Sequence, residues 1–235
     1  AGAHNLLLVG NPGTGKTMLA RRLATILPPP DRDERIEITT IWSAAGLTMQ
    51  KSGLVEARPF RAPHHSVSEA GLVGGGSNVR PGEISLAHRG VLFLDEMPEF
   101  PRKVLDAMRQ PLEDEEVIIS RARQTVVLPA SFMLVGAANP CPCGWLGHAS
   151  GRCECRPEEI VRYSSRISGA LVDRIDMVVE APALTTDELL SEGEGESSDI
   201  VRDRVARARA IATDRSGRPN SKLRGRLLRQ HAKID

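Results

Sequence analysis

The sequence of 235 residues predicts an α/β domain, a parallel sheet with helices on both faces. Two observations carry that expectation. Three short apolar runs, LLLV at 6–9, VLFL at 91–94 and FMLV at 132–135, are continuous instead of alternating, as strands buried on both faces must be. The first run is followed by a glycine-rich turn and a helix-period segment, the order that makes half of a parallel α/β unit.

Each element has its own warrant. After the turn, Leu19, Leu23 and Ile26 recur at helical spacing, and the prolines at 28–30 stop that helix after Leu27. A second helix is expected between Pro101 and Asp114, carrying Val104, Leu105, Met108 and Leu112, with Pro111 kinking or ending it. From Val117 to Leu128 two β-branched runs flank Arg121–Gln124, which reads as a hairpin with a basic tip. The acidic Gly/Ser segment 191–199 lacks periodicity and reads as a linker. Beyond it Val201, Val205, Ala208 and Ile211 repeat at helical intervals between arginines. A boundary near Pro182 is therefore expected, with residues 1–182 as the α/β core and 183–235 as linker and helical tail.

Composition narrows the function classes. Aromatic residues make up only 3% of the chain, so the core rests on Leu, Val, Ile and Ala, and binding by stacking bases on aromatic rings is not expected. The net charge of +1 hides an asymmetry: from Ile200 onward eleven Lys/Arg stand against three Asp/Glu. Such a tail suits a polyanion or an acidic partner as well as it suits a solvated helix face. No run has the length of a membrane span and none resembles a charged, apolar and small-residue secretory leader, so a soluble, cytoplasmic protein is expected. The chain opens on alanine just before its first strand, as an excised piece of a longer protein would.

The residues with chemistry cluster after the strands. GNPGTGKT, comprising Gly10, Asn11, Pro12, Gly13, Thr14, Gly15, Lys16 and Thr17, fits the phosphate-binding pattern G-x-x-x-x-G-K-[ST] between a strand and a helix. Its glycines let main-chain N–H groups wrap a phosphate, Lys16 reaches the β and γ oxygens of a nucleotide, and Thr17 can ligate magnesium. The second strand ends in Asp95 and Glu96, an acid for the magnesium and an adjacent base for the attacking water, which makes ATP hydrolysis the expected chemistry. The third ends in Asn139, an amide that can hold water, contact a γ-phosphate, or simply cap a turn.

With these motifs on the page, the sequence resembles the AAA+ ATPases and, within them, the magnesium-chelatase-like ComM/YifB family. The resemblance rests on LLLVGNPGTGKTMLARRL, RPFRAPHHSVSEAGLVGGG, RPGEISLAHRGVLFLDEMPEF, VLDAMRQPLEDEEVIISRA, NPCPCG and ALVDRID. It implies an AAA+ P-loop core with a partial C-terminal helical lid. Lys16 and Thr17 are implied for nucleotide and magnesium, Asp95 and Glu96 as the acidic pair, and Asn139 as the sensor of the γ-phosphate. It further implies that Arg174 is an arginine finger reaching a neighbouring subunit's site, in a homo-oligomeric ring that is most often a hexamer. On the residues alone, Arg174 would pair with Asp173 or Asp176, and Arg166 is a second candidate for the finger.

All four cysteines fall in NPCPCGWLGHASGRCECRP, 139–157. A bond within either Cys-x-Cys pair is strained, and a bond between pairs is disfavoured in a reducing compartment. Thiolates at Cys141, Cys143, Cys153 and Cys155 suit a closed, structural zinc site, with His148 able to replace one; free structural thiols are the other reading. Two inserts would face the pore of a ring, the glycine-rich stretch 72–90 and the hairpin tipped by Arg121 and Arg123. Related helicases grip nucleic acid with such a pair, and arginines without aromatics suit a phosphate backbone read without regard to sequence. The expected function is a DNA translocase acting on single-stranded or branched DNA, and the family resemblance implies that it drives branch migration in natural transformation. The alternatives are a chelatase-type subunit that remodels a partner enzyme and a protein unfoldase. The cysteine segment and APHH, with His64 and His65, lean towards the ComM branch.

Overall fold

The computed structural model describes residues 2–47, 53–76, 79–121, 124–183 and 195–231. Five strands form one sheet: β1 (Leu6–Val9), β2 (Phe60–Arg61), β5 (Val91–Leu94), β8 (Met133–Ala138) and β9 (Met177–Glu180). Their spatial order is β2-β5-β8-β1-β9, and every neighbouring pair is parallel. The expected parallel sheet is therefore present, with β8 starting one residue after Phe132 and running on to Ala138.

Alternation along the strands divides the core into two layers. Leu92, Leu94 and Leu134 enter a layer with Leu72, Ile84, Met97, Leu105 and Met108. Val91, Phe93, Val135, Ala137 and Leu8 enter the other with Ala20. Because helices cover both faces, the residues pointing either way are apolar, which is why these strands read as unbroken runs.

Helix α1 (Lys16–Ile26) leaves the first turn, and α2 (Arg32–Ala44) starts from a capping box in which Asp31 and Glu34 satisfy each other's backbone N–H groups. In α1 Ala20 is fully buried and Leu23 of the expected stripe packs against the same layer, whereas Leu19 is 45% exposed. Two short helices, α3 (Glu69–Val73) and α4 (Glu83–Leu86), bracket an antiparallel pair of two-residue strands, β3 (Gly74–Gly75) and β4 (Arg80–Pro81). The helix expected over 101–114 is split into α5 (Arg102–Asp106) and α6 (Arg109–Asp114). The break falls at Ala107, ahead of Pro111, because a proline ring displaces the carbonyl four residues before it.

The expected hairpin is β6 (Glu116–Arg121) with β7 (Gln124–Pro129), register-paired from Glu116 opposite Pro129 to Arg121 opposite Gln124. Arg123 at its tip lies outside the described residues. Gly74 of the first insert lies so close to Ile119 of β6 that an added Cβ would sit 3.0 Å from the Ile119 Cδ1, so the first insert adjoins the middle of β6.

Helices α7 (Pro157–Ser164) and α8 (Gly169–Val172) precede β9; α9 (Ser198–Ser216) and the short α10 (Gly225–His231) follow it. Residues 191–194 of the segment read as a linker, 191–199, lie outside the described residues, and Ser198 and Asp199 already belong to α9. That helix lies against α1, where Ser198 meets Thr25 and Arg202 donates to the Thr25 carbonyl. Its inward face holds Val201, Val205 and Ala212 with the half-buried Arg209, while Ile211 of the expected stripe is 68% exposed. Among the described residues no helix is long and apolar enough to cross a membrane.

Candidate functional site

The loop between β1 and α1 is built by its glycines. Gly13 and Gly15 hold φ of 82° and 79°, the left-handed region that only glycine enters without strain. Gly15 occupies the N-cap of α1 and offers no side chain to its first N–H groups, which are left free for an anion. A cavity of about 510 Å³ opens there, lined by residues 12–18, Asp95, Glu96 and Ala137 to Asn139.

The parallel sheet sets the ends of β1, β5 and β8 side by side, and with them every residue singled out after those strands. The Thr17 hydroxyl donates to Asp95 Oδ2 at 2.7 Å. Lys16 Nζ donates to the carbonyls of Gly10 and Asn11 at 2.7 and 2.8 Å and to Asn139 Oδ1 at 3.2 Å. Burial pushes the Lys16 ammonium below its ordinary pKa, and the carboxylates of Asp95 and Glu96 oppose that shift. All three acceptors are uncharged, so phosphate oxygens would be stronger partners for the same cation.

Glu96 stands in the left-handed region, φ 50° and ψ 46°, a conformation uncommon for any residue but glycine, asparagine and aspartate. Its N–H donates to Asp95 Oδ1 at 3.0 Å, and its carboxylate is half-exposed, with His65 Nδ1 at 3.8 Å from Oε2. A carboxylate so placed, wet and beside the cavity, can accept a proton from water. The Thr17 hydroxyl and the Asp95 carboxylate form the hard oxygen set that magnesium takes.

Arg174 lies at the other end of the sheet, three residues before β9 begins. Its guanidinium pairs with Glu113 of α6, and neither Asp173 nor Asp176 is its partner. Asp176 instead accepts the Asn5 N–H at 2.8 Å. Asn5, which nothing in the sequence singles out, fastens this turn: its Nδ2 donates to the Arg174 carbonyl at 2.8 Å and its Oδ1 accepts the Leu134 N–H at 2.9 Å. Arg166 is paired with Glu99 at 2.7 Å and lies near the Tyr163 ring.

The four cysteines converge, their sulfurs all within 4.8 Å of one another. Cys141 is fully buried; its sulfur is 3.3 Å from that of Cys143 and 3.8 Å from that of Cys153, and Cys143 and Cys153 are also 3.8 Å apart. Four sulfurs at about 2.3 Å from a central zinc stand about 3.8 Å from one another, so the residues fit that ion. The Trp145 backbone pulls the Cys143 thiol down to about 6, whereas Cys153 is pushed up and Cys155 is pushed up to about 12 by contacts with Cys143 and Cys141, so without a metal the cluster favours a single thiolate. His148 is not part of the set: its Nδ1 is engaged by Ser150, and its ring packs edge-on to Trp145.

One contact was unforeseen. The Asn11 side chain does not face the phosphate cavity; its Nδ2 donates to the carbonyls of Gly144 at 2.6 Å and Leu146 at 3.4 Å. The cysteine turn and the phosphate loop are in direct contact.

The profile of the family described as magnesium chelatase, subunit ChlI, matches residues 1–189. The chain belongs to that family. Within the magnesium-chelatase-like AAA+ proteins it groups with ComM and YifB, being 48% identical to competence protein ComM of Haemophilus influenzae over 100% of this chain and 46% of that one. To YifB of Salmonella typhimurium it is 47% identical over 98% of this chain and 45% of that protein. Similarity to the magnesium-chelatase 38 kDa subunit of Cereibacter sphaeroides is lower, 28% over 59% of this chain and 46% of that one. The chain thus spans about half the length of the ComM and YifB relatives.

Proposed function

We propose that this magnesium-chelatase-like AAA+ chain is the motor core of an ATP-hydrolysing ring that moves along DNA. The observation that carries the ATPase reading is the meeting of Lys16, Thr17, Asp95, Glu96 and Asn139 around one cavity at the carboxyl ends of three parallel strands. Residues 1–182 form the nucleotide-binding core, and 183–235 a linker with part of a helical lid.

The main-chain N–H groups of the loop and the Lys16 ammonium bind the phosphates. Glu96 accepts the proton of the attacking water, and the Asn139 amide holds that water or the γ-phosphate. Thr17 and Asp95 would hold magnesium, which would supply positive charge to the phosphate oxygens. Arg174, displaced by the length of the sheet from its own loop, serves the adjoining protomer of a homo-oligomeric, hexameric ring. Zinc on the four cysteines is structural, since four protein ligands leave no open position.

Two supports favour DNA as the track. The relatives similar in sequence include a competence protein, and the glycine-rich insert adjoins strand β6 of a hairpin whose sequence carries Arg121 and Arg123. Backbone contacts of this kind follow single-stranded or branched DNA without reading sequence, as branch migration in natural transformation requires. The similarity to a magnesium-chelatase subunit favours a second reading, an ATPase that remodels a partner enzyme.

The deciding experiment measures ATP turnover by the full-length cytoplasmic protein with single-stranded, duplex and branched DNA across a salt series. Stimulation that fades as salt rises supports the motor. Turnover indifferent to every DNA overturns it in favour of the partner-driven reading.

A further inference from the structure

We propose that Asn11 is a positioning residue that couples the cysteine cluster to the phosphate loop, so that metal in one and nucleotide in the other hold each other in place. This rests on the zinc and ATP assignments above and goes beyond both.

Asn11 sits inside the loop pattern yet turns its side chain away from the cavity. Its Nδ2 is committed to the Gly144 and Leu146 carbonyls, while its own carbonyl accepts Lys16 Nζ at 2.8 Å. One residue therefore touches the cysteine turn with its side chain and the phosphate-binding cation with its backbone. The turn is bound to the cluster: the Gly144 N–H donates to the Cys141 carbonyl at 3.0 Å, and the Leu146 N–H to Cys141 Sγ at 3.4 Å. The circuit closes on the far side, because Lys16 also reaches Asn139, two residues before Cys141.

The contact has no slack. Gly144 has φ of +81°, and a Cβ there would lie 2.7 Å from the Pro12 ring. Four thiols without a metal are joined only by weak S–H contacts, whereas a bound ion fixes the Cys141 turn and with it the two carbonyls that Asn11 needs. A nucleotide that orders the loop then favours the same arrangement, and linkage makes the effect equal in both directions.

Coupling between sites of this kind is worth about 5- to 150-fold in affinity. The test uses full-length protein and measures zinc affinity by competition with a chromophoric chelator, with and without magnesium and ADP. Wild type is expected to hold zinc at least about fivefold more tightly when ADP is present, and to bind ADP more weakly by the same factor once stripped of zinc. Asn11→Ala, which loses the donor, and Asn11→Asp, which sets a carboxylate against two carbonyls, are each expected to keep one zinc per chain and bring the factor close to one. An ADP effect that survives in both variants overturns the role of Asn11. No ADP effect in zinc-loaded wild type overturns the coupling while leaving the metal and nucleotide assignments standing. A wild type without zinc overturns the metal assignment itself, and the coupling with it.

Discussion

If Arg174 serves a neighbouring site, two inactive variants should rescue each other. Arg174 precedes Met177, which pairs with Leu6, whereas the phosphate loop follows Val9, which pairs with Glu180. The stretch from Leu6 to Val9 alone covers about 10 Å, and Lys16 lies beyond it, so one arginine side chain cannot bridge the gap within a chain. Lys16→Ala removes the cation of a site but still offers Arg174 to the next; Arg174→Ala does the converse. Each alone is expected to lose about 10³-fold or more in ATP turnover. In rings assembled from an equal mixture, an intact site needs its loop from an Arg174→Ala chain and its finger from a Lys16→Ala chain, so about one quarter of the sites should be restored. The assay is steady-state phosphate release from full-length proteins unfolded, mixed and reassembled, with each variant carried through alone. A mixture as inactive as its components refutes the trans assignment, and full activity in Arg174→Ala alone refutes any role for this arginine.

Glu96→Gln keeps the shape of the site and removes its base, so turnover should fall about 10²- to 10⁴-fold while nucleotide still binds, checked by phosphate release against equilibrium binding. Buried His88 is held below its usual pKa, first by burial and against the pull of Glu37. Its Nδ1 accepts the Ser131 N–H at 3.0 Å and its Nε2 contacts Glu37 at 3.0 Å, so the neutral ring is the one that fits. The native state then binds fewer protons than the unfolded chain as pH drops below 6.5, and stability should fall there; urea titrations should show a shallower acid loss for His88→Gln. Gly90→Ala would set a Cβ 2.0 Å from the Pro59 carbonyl oxygen, a backbone atom that cannot swing aside. A loss of about 1–3 kcal/mol is expected, seen in thermal unfolding as about 2–4 °C per kcal/mol, and an unchanged midpoint would show that β2 and β5 part easily.

The buried strands and the loop were legible because their signals are local: a run apolar on both faces, then glycines, lysine and threonine in fixed order. The edge strands β2 and β9 were not, since two residues make no pattern and Met177–Glu180 is exposed along its length. In α9 Val201 and Val205 turn inward as the periodicity predicts, but Ala208 and Ile211 are exposed and Arg209, whose charged group is itself partly desolvated, takes an inward place that a count of apolar residues alone does not find. The parallel sheet brought the residues after three strands together as expected. The partners that fasten them were invisible: Asn11 meets Gly144 across 133 positions and Arg174 meets Glu113 across 61, and no spacing rule reaches so far.

The placement of the two half-sites constrains the proposed assembly. A chain that offers a phosphate loop at the carboxyl ends of its strands and an arginine at their amino ends would need both ends of the sheet in one interface to complete its sites through a two-fold contact. A head-to-tail contact joins the two patches in a single step and closes when the rotation between protomers divides a full turn. The pairing of Arg174 with Glu113 fits that arrangement, because both side chains are 39% and 50% exposed and an ion pair so wet is worth about 0–1 kcal/mol. In the proposed ring so weak a pair would yield its guanidinium to the charge developing on a neighbour's γ-phosphate.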